Sequence, residues 1–383
     1  MSATICLVRS YTNTPFSVTN SPLRVLILGA TGVFGSRLVE RIAREPGFAL
    51  ILAARNRVQL KTLAARYCPD AGIRVIDRDQ IQPCDVADVD VIVDMAGPFQ
   101  NSGVSVIHTA ISARVHYFDL ADGRDFVGRI GQFDEAAKKA GLVVASGVSS
   151  IPALSHAVID RLTAGWQQID LIKVGIFPGN RAPRGLAVVQ SILSYAGKPV
   201  KVFRDGRWQQ LSGWGFTHRW RVKGVGNRWA SICDTPDQDL LVKRYQPIKS
   251  AEFFAGVELS VMHLGLVLLC LPVRLGLIHS LRPAAKFLLR IAVWLRPFGS
   301  DRGGMAVIVS GLDSTGLSVR RVWQLEATGE AGPYVPVLPC LAMLRRLRDG
   351  VPTKSGAYAC AGILTLDEMD ADFDNLRIAR VVS

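Results

Sequence analysis

The sequence is poor in acidic residues: 32 Asp and Glu stand against 45 Lys and Arg, which leaves a net charge of +13. An excess of this size makes nucleic acid, an anionic membrane or a polyphosphate ligand the candidate partners. No nucleic-acid-binding module is recognisable, and the basic residues are not interleaved with aromatic residues that could stack on bases. We therefore expect no nucleic-acid partner.

Paired cysteines are also missing. The seven cysteines form no Cys-x-x-Cys motif and no cluster with histidine, so the sequence predicts no metal site. Reduced thiols of this kind are typical of a cytoplasmic protein. Residues 1–22 are mostly polar and lack the apolar stretch of a signal peptide, which predicts a flexible N-terminal extension.

Acidic residues are absent from residues 261–300, where basic residues lie among leucine, isoleucine and aromatic residues. The uncharged run Leu259–Val273 is shorter than the ~20 residues that a membrane-spanning helix needs. We predict a basic amphipathic surface that contacts an anionic membrane peripherally. Burial against another domain or in a homodimer is the alternative. The basic residues are Arg274, Arg282, Lys286, Arg290 and Arg296.

The stretch Leu23–Gly35, LRVLILGATGVFG, predicts the start of a dinucleotide site. Leu23–Leu28 has the composition of a strand buried on both faces, and the residues after Gly35 have helical periodicity. Between them, glycines spaced G-x-x-G-x-x-G allow a tight turn, close approach to pyrophosphate and close helix packing. A glycine-rich turn in an unrelated α/β protein is the alternative. The predicted phosphate-binding residues are Gly29, Ala30, Thr31, Gly32, Val33, Phe34 and Gly35.

The end of the second predicted strand, Phe48–Ala54, bears on cofactor choice. It runs into Arg55, Asn56 and Arg57 and has no acid where NAD would present its ribose hydroxyls. Arginine at that place accommodates the 2′-phosphate of NADP, so Arg55, with Arg57 second, predicts NADP(H) as the cofactor. Solvated loop charges are the alternative. Asp77, after the third predicted strand, is expected near the adenine.

Strands and helices alternate as far as residue 150, which is typical of a parallel, doubly wound sheet. The loop Ala96-Gly97-Pro98-Phe99 follows the fourth predicted strand and should border the ligand crevice. We predict an α/β fold with an N-terminal Rossmann domain and a second α+β domain that contains a mixed or antiparallel sheet. The predicted boundaries are 23–160 for the Rossmann domain, 161–330 for a substrate or dimerisation domain with an apolar basic segment over 253–300, and 331–383 for C-terminal helices packing back on the first domain.

Hydride transfer to a carbonyl, imine or enoyl group needs a proton donor unless solvent provides one. The candidates near predicted strand ends are Tyr117, Asp122, Ser150 and His156, none of which forms a recognisable dyad. His156 lies in an apolar segment, so a core histidine is the alternative there. Arg184 lies in a loop rich in glycine and arginine before a predicted helix, and we predict that it contacts a substrate carboxylate or phosphate. A structural turn with solvated charges is the alternative.

Four motifs give the chain a specific resemblance. GATGVFG from Gly29, DMAGPFQNSG from Asp94, HYFDLADG from His116 and SGVSSIPAL from Ser146 resemble consecutive signatures of the saccharopine-dehydrogenase-like reductases, including the trans-acting enoyl reductases. The resemblance implies an NADP-type Rossmann domain, a second domain with a mixed sheet and hydride transfer near 97–99. The loop after the fifth strand departs from the family pattern, and no lysine–histidine pair matches the amino-acid site of true saccharopine dehydrogenases.

The sequence therefore predicts an NADP(H)-dependent oxidoreductase that acts on a small molecule and forms a homodimer. The apolar second domain favours a lipid-like or polyketide-like substrate over a free amino acid. A non-catalytic NADP-binding or membrane-associated scaffold is the alternative from another class, because no acid–base pair is evident. A lysine-pathway amino-acid dehydrogenase is the second alternative.

Overall fold

The structure is a computed structural model that describes residues 21–383. The predicted flexible extension lies outside the described residues, apart from Ser21 and Pro22. The first part of the described chain forms β1 Leu23–Leu28, α1 Val33–Ile42, β2 Phe48–Ala54, α2 Arg57–Tyr67, β3 Gly72–Val75, β4 Val91–Asp94, α3 Ser105–Ser112, β5 His116–Asp119, α4 Arg124–Gly128, α5 Asp134–Ala140, β6 Val143–Ser146 and α6 Ser155–Leu162.

The rest of the chain adds a second set of elements. They are β7 Gln168–Phe177, α7 Leu186–Tyr195, β8 Pro199–Arg204, β9 Arg207–Ser212, β10 His218–Val222, β11 Gly226–Ile232, α8 Asp237–Tyr245, β12 Ser250–Ala255, α9 Ser260–Leu269, α10 Leu271–Arg274, α11 Ala285–Trp294, β13 Gly303–Leu312, β14 Ser318–Ala327, α12 Leu338–Arg348, β15 Gly356–Ala359, α13 Asp367–Asn375 and β16 Ala379–Val382.

The first sheet confirms the predicted doubly wound architecture. Its strands are all parallel and lie in the order β3-β2-β1-β4-β5-β6-β15. The strand order changes sides at β1, with β2 and β3 on one side and β4 to β6 on the other, and a ligand crevice opens at such a switch point. Both Ala53 and Asp94 pair with Leu28, so the ends of three neighbouring strands meet at one edge.

Apart from Arg24, strand β1 is apolar, because both faces of the first sheet are covered. Val25 and Ile27 contribute to one buried cluster together with α1, α6 and α12, whereas Leu26 and Leu28 contribute to the other with α3 and α5. The first cluster continues into the second sheet through Val174 of β7, so the two sheets share a core.

The C-terminal part of the chain returns to the first sheet. Strand β15 pairs in parallel with β6, Gly356 opposite Val143, and the Ala357 amide donates to the Asp134 carboxylate of α5. Helix α12 also packs near α1, where Arg345 pairs with Glu45. Only helices are predicted over 331–383, and the four-residue strands β15 and β16 are too short to leave a periodic signal.

The second sheet is mixed, as predicted. Strand β12 runs parallel to β7, while β13 and β14 are antiparallel neighbours on the other side. The β8–β9 hairpin turns at Asp205 and Gly206, both with positive φ. The turn of the β10–β11 hairpin packs against β13 at Gly304. A side chain does not fit at this position, because a Cβ there would lie 2.8 Å from Val225 Cγ2.

Helices α9, α10 and α11 fill the predicted apolar basic segment between β12 and β13. Among residues 21–383, none of the helices combines the length and apolar character required to cross a bilayer.

Candidate functional site

The glycine turn between β1 and α1 is built from close backbone contacts. Gly29 has φ +80°, and a Cβ on it would lie 2.9 Å from the Ala96 nitrogen in the loop after β4. A Cβ on Gly35 would collide with the Gly29 carbonyl oxygen and lie 2.8 Å from the Ala30 Cα. Both positions therefore need glycine, one for the turn and one for the packing of the helix against it.

Helix α1 presents free amides at its start. Gly32 precedes the first helical residue, Val33, and no side chain caps the helix. The first amides of a helix have no partner within the helix and suit an anionic phosphate. Helix α7, which also lacks a side-chain cap, begins beside it, since a Cβ on Gly185 would lie 3.8 Å from Val33 Cγ2. Two uncapped helix starts therefore border the same place.

A concave surface of about 310 Å³ lies between α1 and α2. Arg37 and Arg66 reach it, and neither forms an ion pair with a carboxylate in the part of the chain that the structure describes. The Nε atom of Arg37 is buried without a hydrogen-bond partner. The other polar side chains lining it are Thr31, Ser36, Gln59 and Thr62.

The loop after β2 lies next to this surface. Arg55 and Arg57 are exposed, and within residues 21–383 their side chains make no hydrogen bond or ion pair. Asn56 is also exposed, and its side chain caps α2 by accepting a hydrogen bond from the Gln59 amide at 3.1 Å. Asp77 has a similar structural role: it accepts from the Asp79 amide at 3.1 Å.

The loop after β4 is held by a buried ion pair. The Arg78 Nε atom lies 2.8 Å from Asp94 Oδ2, and the other oxygen of Asp94 accepts from the Ala96 amide. Gly97 and Pro98 are partly exposed on this loop. Phe99 is buried between the Arg78 guanidinium and the Phe126 ring, so its side chain supports the loop from within the core rather than facing a cofactor.

Asp122 joins three elements at the carboxyl end of the first sheet. Its Oδ1 accepts from Gln100 Nε2 at 3.0 Å, and its Oδ2 accepts from Ser191 Oγ of α7 at 3.1 Å. Burial raises the pKa of the Asp122 carboxyl, although both hydrogen bonds oppose the rise. Gln100 and Ser191 have no signal in the sequence, because they come from separate loops and helices.

Arg124 fixes the same loop to the second sheet. Its Nε atom donates to Asp239 Oδ2 of α8 at 2.6 Å, and its Nη1 atom donates to Asp234 Oδ1 at 3.1 Å. It also donates to the Lys201 carbonyl of β8. The loop that carries Asp122 is therefore positioned by both parts of the molecule.

Tyr117 is fully buried within the first sheet. Its hydroxyl lies 3.4 Å from Asp94 Oδ2, and burial raises its pKa well above the ordinary value. Asp119 lies nearby, where its Oδ1 accepts from Ser146 Oγ and the Gly147 amide. Burial raises the pKa of Asp119 to about 6. Tyr117 and Asp119 are therefore buried residues whose hydrogen bonds hold the ends of β4, β5 and β6 in place.

Ser150 and His156 lie on the segment after β6. Ser150 is buried at the start of a π-helical turn, Ser150–Leu154. His156 is completely buried against the Tyr245 ring, and its Nε2 lies 3.7 Å from Asp237 Oδ1. This burial favours the interpretation of His156 as a core histidine. Within residues 21–383 no group of His, Cys, Asp and Glu is placed to hold a metal ion.

Arg184 lies immediately before the start of α7. Its guanidinium donates to Asn180 Oδ1 at 3.2 Å and to the Gly179 carbonyl at 3.4 Å. Burial lowers its pKa, and among the described residues no carboxylate forms an ion pair with it. Its charge is therefore available to an anion near α7.

A parallel sheet in doubly wound order, with a three-glycine turn and an uncapped helix at the switch point, defines a dinucleotide-binding fold. Residues 25–144 match the family described as the saccharopine dehydrogenase NADP binding domain. This part of the chain is therefore similar to the NADP-binding domain of that family, as the motif resemblance predicts. The family also supports a nicotinamide cofactor.

Solved structures with the same fold extend over most of the chain. Apo saccharopine dehydrogenase (L-Glu forming) from Saccharomyces cerevisiae is 13% identical with a TM-score of 0.66, covering 94% of this chain and 100% of that one. Homospermidine synthase from Legionella pneumophila in complex with NAD is 11% identical with a TM-score of 0.56, covering 94% and 91%. At these identities the likeness is one of fold. No curated protein matches the chain.

Proposed function

We propose that this protein is an NADP(H)-dependent oxidoreductase that reduces a carbonyl, imine or enoyl group of an apolar, lipid-like substrate. The observation that carries the proposal is the position of Asp122. Its carboxyl group lies in the loop after β5, at the carboxyl edge of the first sheet, and is held by Gln100 and Ser191. A carboxyl with a raised pKa at that place suits proton transfer.

The residues around the glycine turn fit a nicotinamide dinucleotide. The amides that start α1 would hold the diphosphate, and Gly97 and Pro98 would border the nicotinamide. NADPH supplies a hydride ion when it is bound. Asp122, in its acid form, holds the proton that neutralises the negative charge developing on the substrate.

The choice of NADP over NAD rests on unpaired positive charge. Arg37, Arg55 and Arg66 lie on or beside the concave surface between α1 and α2, where no carboxylate neutralises them among residues 21–383. A ribose 2′-phosphate would accept hydrogen bonds from these guanidinium groups, whereas a free 2′-hydroxyl would leave their charge unmatched.

The apolar substrate is supported by α7, whose uncharged sequence LAVVQSILSY begins beside Val33 and contributes Ser191 to Asp122. An amino-acid substrate with several carboxylates would need several cations there. Of the two arginines in the loop before this helix, Arg181 donates to the Pro297 carbonyl, whereas Arg184 would meet one anionic group, such as a terminal carboxylate or phosphate.

The test combines binding and turnover on the purified full-length protein. Calorimetry with NADPH and NADH measures cofactor choice, and loss of nicotinamide absorbance measures turnover with long-chain enoyl and 3-keto thioesters. Turnover of these thioesters, strongly reduced by Asp122→Asn, is expected. Turnover of α-aminoadipate semialdehyde with glutamate would instead support the lysine-pathway alternative. NADPH binding without any turnover would support the non-catalytic scaffold, and absence of NADPH binding at millimolar concentration would overturn the enzyme proposal.

A further inference from the structure

The helices between β12 and β13 form an outer helical layer, residues 260–298, with an inverted burial pattern. In α9 the buried side chain is the polar His263, whose Nε2 lies 2.9 Å from Ser231 Oγ. The stripe that faces solvent is apolar and has helical spacing: Val261, Leu264, Leu268, Leu271 and Leu275. A stripe at this spacing normally packs against a core, so this one lacks its partner in the isolated chain.

The exposed apolar surface continues along the rest of the outer helical layer. Leu277 and Trp294 are 74% and 72% exposed, and the Trp294 and Phe298 rings lie 6.3 Å apart on the surface. Twelve of the twenty large apolar side chains exposed among residues 21–383 lie in this layer. Their concentration in one place marks an interaction surface, because scattered single residues would carry no such meaning.

The charges of the outer helical layer all have one sign. Residues 259–300 contain no Asp or Glu. Lys286 and Arg290 lie on the exposed face of α11, one turn apart and next to Phe287. None of the five basic residues predicted for this segment forms an ion pair with a carboxylate in the part of the chain that the structure describes. Arg274 and Arg296 donate instead to Ser212 and to the Arg181 carbonyl.

We propose that the outer helical layer docks on an anionic phospholipid bilayer, with its apolar side chains among the acyl chains and its cations at the headgroups. Charge decides between this partner and a second copy of the chain. A two-fold contact between two copies of the layer would bring together two surfaces that carry only cations, with no acid in either layer to neutralise them. Anionic headgroups complement the cations, and the hydrocarbon below them accepts Trp294 and Phe298.

The outer helical layer is also anchored next to the candidate site. Ala285 and Ala292 are the buried residues of α11, which packs on α7, and Ser280 Oγ donates to the Leu193 carbonyl of α7 at 3.3 Å. Docking would therefore place α7 near the membrane surface. The docking proposal does not depend on the proposed reaction, since it rests on surface apolarity and charge alone.

The experiment is co-sedimentation of the full-length protein with vesicles of phosphatidylcholine containing increasing phosphatidylglycerol. Binding that rises with phosphatidylglycerol and weakens in 1 M salt, where the screening length falls to about 3 Å, is expected. The charge-reversal variant K286E/R290E should lower the partition coefficient at least about a hundredfold. The variant F287S/W294S should lower it more than about tenfold, because two large side chains no longer enter the bilayer.

Matched variants elsewhere control for overall charge and apolarity. K139E/K243E makes the same charge change at exposed lysines outside the layer, and V75S/L317S removes exposed apolar side chains there. Both should bind vesicles like the parent protein. Folded protein that fails to sediment at every phosphatidylglycerol content, or binding that the layer variants leave unchanged, would overturn the proposal. Self-association that F287S/W294S abolishes, without vesicle binding, would also overturn it in favour of a dimer interface.

Discussion

The Nε2 atom of Gln100 lies 3.0 Å from Oδ1 of Asp122, so an amide from the loop after β4 holds a carboxyl group from the loop after β5. The other oxygen of Asp122 is held by Ser191, which belongs to a helix of the second part of the chain. The carboxyl therefore depends on both parts of the molecule for its position.

Replacing Asp122 by Asn should lower kcat by about 10²–10⁴, the usual contribution of a positioned acid or base. Cofactor affinity should change little, because the substitution keeps the size of the side chain. Steady-state turnover and calorimetry with NADPH measure the two effects. Asp125→Asn, an exposed neighbour on α4, is the control and should keep full activity. An unchanged kcat in folded Asp122→Asn protein would contradict the assignment.

The pH dependence of kcat should follow the same carboxyl. Burial raises the pKa of Asp122, so its acid form persists to a higher pH than that of an exposed aspartate. A proton donor is active in its acid form, and kcat should therefore fall as pH rises through this pKa. The profile of Asp122→Asn should lack that descending limb. The same limb in both proteins would assign proton donation to another group.

Arg66→Ala should weaken NADPH binding by about 10- to 100-fold, because a charge-assisted hydrogen bond to phosphate contributes about 1.5–3 kcal/mol. NADH binding should stay nearly constant. Arg37→Ala and Arg55→Ala should act in the same direction, and calorimetry measures all of them. Lys61→Ala removes an exposed cation from the same helix, α2, and serves as the control. Equal losses of affinity for NADPH and NADH would mean that these arginines do not bind the 2′-phosphate.

Gly35→Ala should abolish cofactor binding and lower the free energy of unfolding by about 1–3 kcal/mol, because the added Cβ collides with the Gly29 carbonyl oxygen. Thermal melting and NADPH titration measure the two effects. Gly128→Ala is the matched control, since a Cβ at that helical position meets nothing within 4 Å. A Gly35→Ala protein that binds NADPH normally would show that the turn is not the diphosphate site.

Asp119 should make the protein less stable as pH rises. Its pKa is 3.8 in an ordinary setting and about 6 when buried here, so the folded state holds its proton more tightly than the unfolded state. The stabilisation is present below pH 4 and is lost as pH rises through 6, an effect on the order of 2–3 kcal/mol. Urea unfolding from pH 4 to 8 measures it. Asp119→Asn should be more stable at pH 8 and flatten this part of the curve; equal slopes in both proteins would contradict the prediction.

Local pattern was sufficient to predict the first six strands of the first sheet. Most of them are apolar runs that end in glycine or polar residues, although β3 and β5 also contain charged or polar residues, and each is followed by a helix or turn before the next. The glycine spacing after Leu28 also predicted the turn that, in the structure, lies beside the loop after β4. Phe99, by contrast, was predicted to meet the cofactor but packs under Arg78, because a motif gives the place of a loop without the direction of each side chain.

Contacts between distant segments could not be predicted. Gln100 and Ser191 lie 91 residues apart, and Arg37 and Arg66 look like ordinary surface charges on two helices. The spacing of Val261, Leu264 and Leu268 would normally place that stripe in a core, yet it faces outward because His263 takes the inner side. Which residues meet, and which face of a helix is buried, depend on how whole helices and strands pack together, and the local sequence pattern does not encode that packing.

Strand β15 has a consequence for how the molecule is made. Because Gly356–Ala359 supplies the last strand of the first sheet, the edge of β6 stays without its neighbour while some two hundred intervening residues are being synthesised. An unpaired edge of this kind invites pairing with other nascent chains. The first sheet therefore reaches its final form only after residues 356–359 have left the ribosome, and a chain truncated before Gly356 would leave the β6 edge unpaired.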